Sequence, residues 1–169
     1  NDFPSFTIGA DQTLLEDDGN TSISIPGGEH LISNWATDIN LGPDNEVTDF
    51  GQNATFTLTT TNDGLFSFLP IISPTGDLSY TAALNQYGSA TVAIVLSDNG
   101  GMEFGGVDTT QSVTFTITVT PVNDQPTFVL GNDIENDEDD GSTDLTISAS
   151  QKLLVGWATS LNLGPENEV

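Results

Sequence analysis

Residues 112–120 read SVTFTITVT. Val113, Phe115, Ile117 and Val119 fall on alternate positions with threonines between them. Successive side chains of a strand point to opposite faces, so this segment presents one apolar and one polar face. That is the pattern of a β-strand laid with one side on a core. The same alternation, with Phe56 and Leu58, runs through ATFTLTT at residues 54–60. At residues 89–97, SATVAIVLS is apolar on both faces at its centre, which predicts a strand inside a sheet rather than at its edge. Shorter strands are predicted over residues 5–8, 29–36, 65–69 and 78–82, and no stretch reads as a helix. Turn residues separate them, among them Pro26-Gly27-Gly28, Gly42-Pro43-Asp44-Asn45, Asn62-Asp63-Gly64, Pro74-Thr75-Gly76 and Asp98-Asn99-Gly100-Gly101. About seven short strands broken by turns at roughly ten-residue intervals predict an all-β, antiparallel sandwich of immunoglobulin-like form.

Downstream, the strand at residues 112–120 runs into PVNDQPTF at residues 121–128. Pro121 and Pro126 hold the backbone extended, so this linker is short and stiff. From the linker onward the chain repeats its own opening residues. Asn123, Asp124 and Pro126 stand over Asn1, Asp2 and Pro4; Glu138-Asp139-Asp140-Gly141 stands over Glu16-Asp17-Asp18-Gly19; and GWATSLNLGPENEV ending at Val169 stands over NWATDINLGPDNEV ending at Val47. The period is about 122 residues, the step from Asn1 to Asn123. Residues 1–122 therefore form one complete unit, and residues 123–169 form the opening of a second. Trp35 and Trp157 occupy the same place in both, each followed by Ala-Thr, and are expected in the core between sheets. Val169 corresponds to Val47, which precedes the strand at Ala54. If Val169 is a true end, strands of a neighbouring copy are expected to complete the second unit by strand addition. If it is a boundary within a longer chain, those strands come next in sequence.

The 169 residues carry 25 acidic side chains against one basic one, Lys152, for a formal net charge of -24. Nothing here neutralises phosphates, which excludes nucleic acid and an anionic membrane surface as partners. So many carboxylates repel one another in a compact state unless cations screen or bind them. There are no cysteines, which removes disulfides and thiolate metal sites together. No apolar run is long enough to insert in a bilayer. His30 is the only histidine, with Lys152 at the corresponding place in the second unit, and no nucleophile context surrounds it. A catalytic role is not expected.

Hard cations such as calcium take six to eight oxygen ligands, so several acidic loops must converge to hold one. Three segments offer such oxygens. The first is the linker pair, Asn123 and Asp124, or Asn1 and Asp2 in the copy. The second is the pair of Gly-rich loops bearing Asp98 and Asp108. The third is the loop of Glu16 and Asp17, with its copy at Glu138, Asp139 and Asp140. All three are expected to meet at one end of the sandwich. Asn20 and Asn53 match the glycosylation acceptor pattern.

VNDQPTF at residues 122–128 is similar to the linkers of cadherin and bacterial cadherin-like repeats. The resemblance extends through SPTGDLSYT at 73–81, GSATVAIVLSDNGG at 88–101 and FTITVTPVNDQP at 115–126, to the tandem Ig-like, cadherin-like repeats of very large bacterial surface proteins and adhesins. It implies β-sandwiches in series, an extracellular or cell-surface location, and calcium at the junctions, held by Asn123 and Asp124 or by Asn1 and Asp2. The chain has no Asp-Arg-Glu motif and no Asp-x-Asn-Asp-Asn linker, so about one or two ions per junction are expected. The expected function is a structural module of a surface adhesin or filament, its partners being neighbouring repeats or copies of itself. Two alternatives remain. One is a carbohydrate-binding module of an exported protein, with Phe3, Tyr87 and Phe104 facing a cell-surface polysaccharide; the other is a surface-layer or sheath subunit.

Overall fold

The computed structural model describes residues 1–48, 51–135, 137 and 155–165, and the chain is predominantly β. Among the described residues of 1–122 lie nine strands: β1 (Ser5–Thr7), β2 (Gln12–Leu15), β3 (His30–Ile32), β4 (Thr37–Asn40), β5 (Thr55–Thr60), β6 (Phe66–Ile72), β7 (Leu78–Ala82), β8 (Gly88–Ser97) and β9 (Val113–Thr120). They form a four-stranded sheet in the order β2-β9-β8-β5, a three-stranded sheet β3-β7-β6 and a two-stranded ladder β1-β4. As the sequence predicts, β8 is an interior strand. On β9, Phe115, Ile117 and Val119 are buried while the intervening threonines are not. One cluster of buried side chains draws on both larger sheets: Leu14 from β2, Leu78 and Tyr80 from β7, Val92 and Ile94 from β8, and Phe115 and Ile117 from β9. Burying each large apolar side chain of this kind contributes about 1.5–3 kcal/mol.

The structure departs from the sequence reading at four places. β2 pairs with β9 in parallel, from Gln12 opposite Ile117 to Leu15 opposite Thr120, so the main sheet is not wholly antiparallel. Of the predicted strand over 29–36 only β3 forms; the chain turns at Asn34, φ 52, and β4 follows from Thr37, so that β3 pairs with β7 and β4 with β1. β6 runs on to Ile72 through Pro70, which an edge strand tolerates because the missing N–H costs no ladder bond. A short helix, α1 (Asp44–Thr48), occupies what reads as a turn. Pro43 fixes the backbone at its start, the Pro43 carbonyl accepts the Glu46 N–H at 2.8 Å, and Asp44 and Glu46 complement the exposed amides of its first turn.

Beyond the linker lie β10 (Thr127–Leu130) and β11 (Ala158–Asn162), an antiparallel pair. Its register is Thr127 opposite Asn162 and Val129 opposite Thr159; that of β1-β4 is Ser5 opposite Asn40 and Thr7 opposite Thr37. Both pairs of the first ladder recur in the second at plus 122, and the second adds Leu130 opposite Ala158. Local details share the same offset. Trp35 Nε1 donates to the Ala10 carbonyl at 2.9 Å and Trp157 Nε1 to the Asn132 carbonyl at 3.0 Å. Asp38 and Ser160 both take left-handed φ, near 50°. A Cβ on Gly9 or Gly131 would collide with the carbonyl of Trp35 or Trp157, at 2.4 and 2.6 Å. The tryptophans differ in burial. Trp35 is 5% exposed with its ring 4.4 Å from that of Phe115, as expected of a core residue, whereas Trp157 is 38% exposed. What covers the Trp35 ring is Phe115 of β9.

Candidate functional site

The candidate ligands do not meet at one end; they divide between two. β9 runs from one end of the first unit to the other, and eight residues of strand span about 26 Å. The end where β9 begins, near Asn1 and Asp98, is termed the leading end. The end where β9 stops and the linker starts is the trailing end.

The trailing end is built by the parallel ladder. Leu15 and Thr120 are the last pair of β2 and β9, so the chain leaves both strands side by side. From β2 it passes into a kinked turn over Glu16–Gly19, in which Asp17 and Asp18 both adopt left-handed φ, 47° and 55°. From β9 it passes through Pro121 and Val122 to Asn123 and Asp124. The Gln125 N–H then donates to the Thr21 carbonyl at 2.9 Å, which fastens the linker to the segment after the turn. Three carboxylates are buried here: Glu16 and Asp124 are each 1% exposed and Asp17 is 2%. Asp17 Oδ2 accepts the Asn85 N–H at 3.1 Å from the loop between β7 and β8, while Asp17 Oδ1 is buried with no hydrogen bond. Asn85 Nδ2 in turn donates to the Ile23 carbonyl at 3.2 Å. A buried carboxylate is costly unless its charge is compensated. At the rim, Asp18 Oδ1 stands 2.7 Å from His30 Nε2, and the His30 ring stacks on Tyr80 at 5.5 Å. Burial pushes the Tyr80 hydroxyl up to about 12.

At the leading end the organising residue is Asn1. Its side-chain nitrogen lies 3.0 Å from Asp98 Oδ1, 3.1 Å from the Gly101 carbonyl and 3.0 Å from the Val107 carbonyl, and its Oδ1 accepts from Gln52 Nε2 at 2.6 Å. Asp98 also accepts the Gly100 N–H at 2.8 Å, and its own N–H donates to the Asp108 carbonyl at 3.0 Å. Asp98 Oδ2 and Gln52 Oε1 are buried with no hydrogen bond. Asp2 is exposed; its N–H donates to Glu46 Oε2 at 3.1 Å, and this bond is the main reason the Glu46 carboxyl lies below its ordinary range. A cavity of about 520 Å³ opens here, lined by Asn1, Glu46, Gln52, Asn99, Glu103 and Phe104.

The sequence therefore finds both clusters but misses their partners. Asn85 and Gln52 carry no motif, and Glu46 stands in the repeated stretch ending at Val47 with nothing there to mark it as a partner of the cluster; all three are reached only through the fold. The candidates Glu138, Asp139 and Asp140 lie outside the described residues. Among the described residues no three His, Cys, Asp or Glu side chains stand together as a metal site. A cation at the trailing end would draw on Glu16, Asp17 and Asp124 together with amide and backbone oxygens. These candidate ligands are all oxygens, the donors that hard cations take, and Asp17 Oδ1 is buried without a hydrogen bond. Of the acceptor sequons, Asn53 is exposed with Nδ2 bonded to the Gly51 carbonyl at 2.8 Å, and Asn20 is half-buried with Oδ1 accepting the Ser22 N–H at 2.9 Å. The aromatic residues weighed for sugar stacking are scattered. Phe104 lines the leading-end cavity, Tyr87 lies two residues from Asn85 at the trailing end, and Phe3 is exposed. Among the described residues no helix is long and apolar enough to cross a membrane. No protein-family model matches the chain, and no curated protein matches it.

Proposed function

We propose that the chain is a segment of a tandem array of β-sandwich units whose work is mechanical: to extend, space or join at a cell surface. The observation that supports this most directly is the repetition at 122 residues, which extends from sequence to ladder register and to the Trp–carbonyl bond. A core that draws on both larger sheets of the first unit fits the sandwich form. Calcium would bind at the trailing end, where Glu16, Asp17 and Asp124 put three buried carboxylates beside the linker. With the ion bound, repulsion among them is cancelled and the linker loses its freedom to hinge. The role is non-catalytic, and an extracellular site of action supplies the millimolar calcium that weak modules of this kind use.

Thermal unfolding with calcium and with chelator, alongside small-angle scattering, tests this. Calcium at about a hundred times its dissociation constant adds about 2.7 kcal/mol, which raises Tm by about 5–10 °C in a chain of this size. The particle should also lengthen and stiffen. Asp124→Asn should remove most of the shift. An unchanged Tm and an unchanged particle length would overturn the calcium reading.

A further inference from the structure

The two copies of the Asn-Asp linker show opposite halves of one joint. At the leading end Asn1 is engaged: its side chain is 3% exposed and bridges Asp98, Gly101 and Val107, while the neighbouring Asp2 side chain is exposed. At the trailing end the reverse holds. Asp124 is 1% exposed, while Asn123 is exposed and donates to the carbonyl of its own neighbour Asp124, at 3.0 Å. Asn1 and Asn123 are the same repeat position, as are Asp2 and Asp124.

Resting on the tandem reading above, we infer that each linker is a two-sided stitch: its Asp is locked into the unit before it, its Asn into the unit after it, and the two units touch directly. The geometry leaves little room for anything else. Consecutive Cα atoms stand about 3.8 Å apart across a trans peptide. A leading end that grips Asn123 as it grips Asn1 is therefore one peptide step from the trailing end that holds Asp124. Whatever protrudes from a leading end must press on the unit before it. What protrudes is apolar. Phe104 is 105% exposed and sits at φ 56, a left-handed conformation that a bulky side chain adopts only at a cost, and Met102 beside it is 70% exposed. Among the described residues no ring stacks on Phe104. The surface it meets carries exposed apolar groups of its own, Leu84 and Tyr87 in the loop after β7 and Ile25 near the turn. The partner of Phe104 and Met102 is thus the trailing end of the preceding unit.

The test uses the absence of cysteine. The second unit is completed by appending residues 48–122 after Val169, and Met102→Cys is placed in either the first or the appended copy. In the first copy the thiol faces solvent; in the appended copy it faces the joint. Alkylation at the appended copy should be at least tenfold slower, and adding Asn123→Ala should restore the fast rate, whereas Asn1→Ala should not. Equal rates at the two copies, with the unfolding amplitude doubled relative to the 169-residue chain, would overturn the stitch and leave the tandem reading standing. An undoubled amplitude would mean that the appended unit does not fold as a repeat, and both readings would fall.

Discussion

One residue position, met twice, isolates what a partner strand contributes. Trp35 and Trp157 share the Ala-Thr that follows them, their indole hydrogen bond and their glycine contact, yet Trp35 is 5% exposed and Trp157 38%. The difference is the sheet behind the ring. Trp35→Ala leaves a cavity against Phe115 and should cost about 3–5 kcal/mol. Trp157→Ala removes a ring that solvent already reaches and should cost less than about 1 kcal/mol. Urea unfolding of the two variants, with far-UV circular dichroism as the probe, measures both; similar midpoints would mean that Trp157 is as well packed as Trp35. The residue type and the Trp-Ala-Thr context announced a core tryptophan in both units. Burial was legible at only one of them, because it depends on a strand about 80 residues away in the chain.

At the scale of elements, legibility tracked the length and regularity of the pattern. β9 and β8 are long and were readable as strands, β9 from its alternation and β8 from an apolar run on both faces, although Val113 at the start of β9 is exposed. β2 is four residues with one buried side chain, and its identity as a strand comes from β9 alongside it, a pairing that no local signal encodes. The same is true of the ends. Both acidic clusters were visible in the sequence, but which end each belonged to was decided by the direction of the strands. Turns show how a short element can still set a long-range contact. The turn from Ser73 to Asp77 places Asp77 so that Oδ1 accepts the Asn34 N–H at 2.8 Å, pinning the break between β3 and β4. That bond, and after it the one from Thr75, holds the Asp77 carboxyl below its ordinary range. A carboxyl whose pKa is depressed by folding stabilises the fold above its unfolded value of about 3.9, and that contribution is lost as pH falls through the folded value. The wild type should therefore exceed Asp77→Asn in stability at neutral pH. Melts at falling pH should bring the two together below about pH 4; a gap that persisted in acid would show that the carboxylate charge contributes nothing.

Over the whole molecule, a net charge of -24 sets two mechanisms of cation dependence against each other. Solvated carboxylates respond to ionic strength, whichever ion supplies it, because the Debye length shrinks from about 10 Å at 0.1 M to about 3 Å at 1 M. Buried ones do not, since bulk salt screens them far less. Asp11, Asp38 and Asp44 belong to the first class, and Glu16, Asp17 and Asp124, each 2% exposed or less, to the second. Sodium chloride without divalent ions should therefore raise Tm gradually and level off as surface repulsion is screened. Millimolar calcium added on that plateau should raise it again, by an increment that Asp124→Asn abolishes and that Asp44→Asn leaves alone. Magnesium should be a poor substitute, because it demands a near-octahedral shell and sheds its water reluctantly, whereas a site of mixed carboxylate, amide and carbonyl oxygens is irregular. If calcium adds nothing once salt has reached its plateau, the chain's need for cations is a property of its surface, and the carboxylates buried beside the linker are held by protein groups alone.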